Sequence, residues 1–308
     1  MCQLHPYLGS CLVPNANGTR LGVHISHNSL GWRGKEFQMA KTPGRIRVVA
    51  VGGSSTYGVL VPDEFTWPKL LQDELGSGYE VINLGGIGSG SVEHLILTAL
   101  DFSDLKPDIA IYYCGWNDAH VQHIANLKAD YSDFHGNLAL SIGLGASEHT
   151  EPTASLYLIK HTLLRLFFPG VGAALAPGKY ISPTKDAFTD RVDQRALDLW
   201  ERNLRFIAQL CKAQGVRAVF APQVMNWEVL VSDKATPWFP FVRDADIKKI
   251  MEAYHATMAK VAKEEGVGYA EEILQAPFSK ADFKDNGHFS AEGNRRFAQV
   301  MARRLKGQ

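Results

Sequence analysis

The chain has 308 residues, 45% hydrophobic and 21% charged, with 32 Lys+Arg balanced by 32 Asp+Glu. That composition is ordinary for a globular protein, excludes disorder and collagen, and allows two domains or one enlarged α/β domain. Zero net charge, with no run of five like charges, argues against nucleic-acid binding, which needs a basic surplus or face.

Residues 1–45 read as an arm, since Pro14-Asn-Ala-Asn-Gly18 is turn-rich and Asn28-Ser-Leu-Gly-Trp-Arg-Gly34 has no clean period. From residue 46 to 308 the texture is that of one domain. Arg47 to Val51 is a short buried strand ended by Gly52-Gly-Ser-Ser. Helices are expected at 67–75, 92–105, 192–213, 247–265 and 291–305, and further strands at 79–84, 108–114, 216–221 and 267–270. Strands alternating with helices at this spacing predict an α/β fold: a three-layer α/β/α sandwich around a mainly parallel sheet. The early strands are near-continuous apolar runs, as strands buried on both faces should be. An insertion at about 119–190 is too long for a simple loop. Its apolar stretch Ser155 to Phe168 is either a cap over a pocket or a satellite core.

The four cysteines, Cys2, Cys11, Cys114 and Cys211, have no C-x-x-C spacing, so zinc-ribbon and thioredoxin motifs are unsupported. Cys114 ends an apolar run and reads as an inert buried thiol; a Cys2–Cys11 disulfide is left open. The start of the chain shows no basic and apolar leader pattern, which points to the cytoplasm for the chain as given. The stretch from Leu163 to Pro177 is too short to span a bilayer. No cofactor or metal is demanded: G-x-G-x-x-G after the first strand, G-x-x-x-x-G-K-[ST] and H-E-x-x-H are all missing. His120 and His123 imitate metal ligands but read as a solvated or structural pair. G-x-S-x-G is missing too, which disfavours the usual nucleophile elbow.

In an open parallel sheet, ligands bind beyond the carboxyl ends of the strands. Three strands end there in Gly52-Gly-Ser54-Ser-Thr-Tyr-Gly58, Asn83-Leu-Gly-Gly-Ile-Gly88-Ser-Gly-Ser91 and Gly115-Trp-Asn117-Asp118. A fourth piece, Asp285-Asn-Gly-His288, precedes the last helix, for which Ser290 is the expected N-cap. Each is weak alone; their convergence on one sheet edge is the informative feature.

Together, in this order, the four pieces resemble the sequence blocks of the GDSL/SGNH hydrolases. One departure stands out: the family's usual Asp before the serine is Gly53 here, which bears on loop geometry rather than chemistry. His5-Pro-Tyr-Leu-Gly9 and Asn28 to Gly34 also resemble an arm found in some bacterial members, where a signal or anchor often precedes it; trimming of such a segment would imply a periplasmic or secreted protein. The resemblance implies an esterase, lipase, thioesterase or carbohydrate O-acetyl esterase. Ser54 would be the nucleophile, His288 its base and Asp285 the residue that orients His288, because serine needs a base that a third group holds in place. The N–H groups of Ser54 and Gly88 and the Asn117 side chain would form the oxyanion hole. Gly53, Tyr57 and Trp116 are expected beside the substrate, and Asp118 is expected to be structural. The expected partner is a small-molecule ester, possible acyl types running from acetyl to lipid-like. Alternatives are an acyltransferase using the same acyl-enzyme and a non-catalytic binding module that kept the fold. Oligomeric state is not readable.

Overall fold

Alternating apolar side chains explain why the strands read as continuous runs. In a computed structural model that describes residues 1–5, 8–124, 127–131, 189–230, 238–239 and 241–307, five strands form one parallel sheet. They are β5 (Ile46–Gly52), β6 (Tyr79–Gly85), β7 (Ile109–Cys114), β8 (Arg217–Pro222) and β9 (Gly268–Tyr269), in the order β6-β5-β7-β8-β9. Val49, Val51, Ala110, Tyr112 and Phe220 point to one face; Val48, Ala50, Ile111, Tyr113 and Ala221 point to the other. Both faces are covered, so the middle of each long strand is apolar on both sides, with Arg47, Glu80 and Arg217 confined to the strand starts.

One face is covered by α3 (Ser91–Leu100), α4 (Phe102–Leu105), α6 (Gln194–Ala213) and α8 (Ile247–Glu265). In α6 the buried residues Trp200, Leu204, Ile207 and Cys211 recur at helical spacing, forming one apolar stripe. The other face is covered by α2 (Trp67–Leu75) and α10 (Ala291–Lys306), with the short α9 (Glu272–Gln275). Trp67 of α2 meets Phe297 of α10 with ring centroids 4.9 Å apart. Three-layer α/β/α architecture is therefore as the pattern predicts. The helix expected over 92–105 is broken at Asp101, a break that turns Phe102 and Leu105 into the core. Three further single turns, α1 (Ser54–Tyr57), α5 (Trp116–Ala119) and α7 (Trp227–Leu230), follow β5, β7 and β8. The apolar stretch 155–168, like most of the insertion, lies outside the described residues. Among the described residues no helix is long and apolar enough to cross a membrane.

The first 45 residues are more ordered than their turn-rich sequence suggests. They form two antiparallel hairpins, β1 (Cys2–His5) with β2 (Gly9–Leu12) and β3 (Asn17–Arg20) with β4 (Val23–Ser26). Four-residue strands are too short to show a period. Register settles the cysteine question: Cys2 lies opposite Leu12 and Gln3 opposite Cys11, so the two thiols sit on opposite faces and both are free.

Two arm residues reach the turn after β5. Arg33, 4% exposed, donates to the carbonyls of Tyr57, Gly58 and Val61 and pairs with Asp63 at 2.8 Å. His27 Nε2 meets the Tyr57 hydroxyl at 2.8 Å. At the opposite end of β5, Arg47 is fully buried and bonded to Glu80 and to the carbonyls of Gln38, Met39, Ala40 and Leu105.

Burial also sets a pH dependence. It pushes His94, His120 and His255 down to about 4, because each would be charged in an apolar surrounding. It pushes the Glu93 carboxyl up to about 8 and Asp118 up to about 6, despite the N–H groups that each accepts from. Between about pH 4 and 6.5 the unfolded chain holds more protons on these histidines, so their stabilisation is lost as pH falls. The carboxyls act with the opposite sign: the folded chain holds their protons, and the Glu93 contribution is lost as pH rises toward 8. At the acid end the lowered histidines, His27 included, outweigh the raised carboxyls, Asp101 included, and Glu93 is the main term above about pH 6.5. Thermal denaturation should therefore show a Tm maximum near pH 6.5; a Tm that climbs steadily from there to pH 8 would contradict it.

Candidate active site

Chain order puts the site at the switch point of the sheet. From β5 the chain moves to β6 on one side and then crosses to β7 on the other, leaving a crevice at the carboxyl ends. Ser54 opens α1 directly after β5, and Asn117 lies in α5 directly after β7. Gly88 follows β6 with φ of 77°, a left-handed conformation suited to glycine. His288 sits just before α10, whose N-cap is Ser290, accepting from the Gly293 N–H.

The three strand-end pieces and the loop before α10 converge. His288 Nε2 lies 2.7 Å from Ser54 Oγ, and His288 Nδ1 lies 2.7 Å from Asp285 Oδ2. The other carboxylate oxygen of Asp285 accepts from the backbone N–H groups of Gly287 at 3.0 Å and His288 at 2.8 Å. Burial raises the Asp285 pKa, but the hydrogen bond and charge of His288 and these two N–H groups outweigh it, so the carboxyl lies below its ordinary value. An ionised Asp285 then fixes the ring with Nδ1 protonated and Nε2 free to accept from the serine hydroxyl. The loop that carries both residues is closed by Lys284 N–H donating to the His288 carbonyl at 2.8 Å.

Asn117 Nδ2 donates to the Ser89 carbonyl at 2.8 Å, which holds the amide beside the Ser54 turn. Among the described residues neither the Ser54 nor the Gly88 backbone N–H donates to a protein acceptor. Two free backbone donors and an oriented amide next to a serine–histidine pair can stabilise an oxyanion. Gly53 explains the missing acidic residue. A Cβ there would lie 2.4 Å from Asn117 Nδ2, so the amide occupies the space a side chain would take.

Trp116 is half-buried beside Asn117 and packs on Phe239 with centroids 4.7 Å apart. Tyr57 is a correction: it is fully buried, with its hydroxyl on His27 and Arg33 over its ring, so it has no surface to offer a substrate. Asp118 is also buried and accepts from the Ser91 N–H and hydroxyl, tying α5 to the start of α3. His120 packs against Trp116 and Phe239, while His123 Nε2 faces the Arg191 carbonyl. Among the described residues no three His, Cys, Asp or Glu side chains are grouped to hold a metal ion. Sequence reasoning passed over Gln223 and Asn226, which follow β8 beside the same crevice; the signal was there, as two amide residues within four positions of the end of an apolar strand.

The sequence matches the GDSL-like lipase/acylhydrolase family over residues 50–296. No curated protein matches it. Among solved structures it is similar to a lipase/acylhydrolase from Enterococcus faecalis, at 13% identity and a TM-score of 0.49, covering 85% of this chain and 96% of that one. It is likewise similar to a GDSL-like lipase from Bacteroides thetaiotaomicron, at 14% identity and a TM-score of 0.47, covering 85% and 88%. An acetyl xylan esterase is similar at 15% identity and a TM-score of 0.46, covering 83% and 98%. With the family's sequence pattern running through most of its length, this chain belongs to the GDSL-like lipase/acylhydrolases.

Proposed function

We propose that the chain hydrolyses carboxylic esters through an acyl-enzyme formed on Ser54. The observation that carries this reading is the unbroken hydrogen-bonded series from Ser54 through His288 to Asp285, 2.7 Å at each step. His288 Nε2 takes the hydroxyl proton as Ser54 Oγ bonds to the ester carbonyl carbon. The oxyanion is met by the N–H groups of Ser54 and Gly88 and by the Asn117 amide. As the intermediate collapses, the carbon–alkoxy bond breaks and His288 returns the proton to the departing alcohol. Water then adds to the acyl-enzyme by the same route, releasing the acid and restoring the serine. Asp285 stays ionised throughout and stabilises the transient imidazolium.

A fluorophosphonate probe tests the reading. The phosphorus is attacked by an activated serine and keeps the adduct, so one label per folded chain should appear on the peptide containing Ser54. Folded protein that turns over p-nitrophenyl acetate with the label elsewhere, or that takes no label, would overturn it.

A further inference from the structure

We infer that Gln223 is a positioning residue for the proposed ester hydrolysis, and the inference rests on that reading of the site. Its Oε1 accepts from the Trp116 backbone N–H at 3.1 Å, and its Nε2 donates to Ser55 Oγ at 3.4 Å. Ser55 Oγ donates onward to the Gly287 carbonyl at 2.9 Å. Each contact falls on the sequence neighbour of a site residue: Trp116 precedes Asn117, Ser55 follows Ser54, and Gly287 precedes His288. A side-chain amide carries an acceptor at one end and donors at the other, so one glutamine joins loops that lie on different sides of it.

The network is shielded and anchored. Gln223 is 8% exposed and Ser55 is 6% exposed, so a partner lost here is not replaced freely by water. The Gln223 carbonyl accepts from His255 Nε2 at 3.0 Å, which fixes the backbone that carries the amide. Three residues on, Asn226 donates its N–H to the Asn286 carbonyl at 2.8 Å and its side-chain amide to the Asp285 carbonyl at 3.4 Å. The segment after β8 therefore grips the His288 loop at a second point.

This matters because the reacting groups come from separate loops. The ladder bonds of β5 and β7 end at Gly52 and Cys114, before Ser54 and Asn117 begin, and His288 belongs to no strand of the sheet. Gln223 and Ser55 supply the ties between loops that the sheet does not. None of these three bonds ends on Ser54 Oγ, the His288 ring or the Asn117 amide.

Gln223→Met keeps the side-chain length and removes both hydrogen bonds; Ser55→Ala removes the next link. Each should lower kcat for p-nitrophenyl acetate by about 10–100-fold, the scale of a misplacement near 1 Å, with KM within about twofold. Fluorophosphonate labelling of Ser54 should slow in parallel while circular dichroism is unchanged. Because the two residues share one network, the double variant should lose little more than the worse single variant. A folded variant with kcat within about twofold of wild type, or losses that multiply in the double variant, would overturn the role. Should Gln223→Met fail to fold, Ser55→Ala decides by the same criteria. Wild-type protein labelled at Ser54 keeps the hydrolase reading intact when the variants are unaffected; an unlabelled wild type would sink both.

Discussion

Ser54→Ala should lower kcat for p-nitrophenyl acetate by about 10⁶-fold, and Asp285→Asn by about 10⁴-fold. The two losses have different origins. Without Ser54 Oγ there is no acyl-enzyme, and only the oxyanion donors and substrate binding remain. With asparagine at 285 the loop keeps its shape, because an amide oxygen still accepts from the Gly287 and His288 N–H groups. The amide nitrogen, however, then faces His288 Nδ1 at the 2.7 Å contact. It donates where the carboxylate accepted, so the ring takes the tautomer with Nε2 protonated and cannot receive the Ser54 proton. Burst kinetics with p-nitrophenyl acetate separate the effects: Asp285→Asn should show slow acylation at Ser54, Ser54→Ala no acylation there. An Asp285→Asn enzyme within about tenfold of wild type would remove Asp285 from the relay.

Arg47→Ala should destabilise the fold by about 3–5 kcal/mol, measured from urea denaturation midpoints at constant slope. The Arg47 guanidinium is fully buried and satisfies four backbone carbonyls as well as Glu80, which it meets at 2.6 Å. Removing it leaves these acceptors without a donor and opens a cavity at the foot of β5. Arg47→Lys should recover only part of the loss, since an ammonium presents three donors from one point and cannot span carbonyls from residues 38–40 and 105. Loss below about 1 kcal/mol for the alanine variant would mean that water replaces the guanidinium.

The sheet and the helices were legible because both rest on local periodicity. Val48 to Val51 and Ile109 to Tyr113 are apolar at every position for one reason, coverage of both faces. The three strand-end pieces were legible because the crevice of a parallel sheet lies where strands stop, and the fourth because it adjoins a capped helix. What sequence could not give is direction. Tyr57 sits three residues after Ser54, yet its side chain is fully buried against the arm, between His27 and Arg33. The position of Gln223 after a strand was readable but its role was not: its partners, Ser55 and Trp116, lie 168 and 107 residues away. Only the folded chain brings them together. The same holds for Gly53, whose missing side chain makes sense once Asn117 is seen in its place.

Arg33 carries a consequence for where this protein begins as a physical object. Family similarity starts at residue 50, whereas the carbonyls of Tyr57, Gly58 and Val61 are held by the guanidinium of Arg33, which precedes that start. Kinship and cohesion thus draw different edges on the same chain. A recognisable ancestry can be cut out at one boundary, but the contacts that keep the serine turn in shape start well upstream of it.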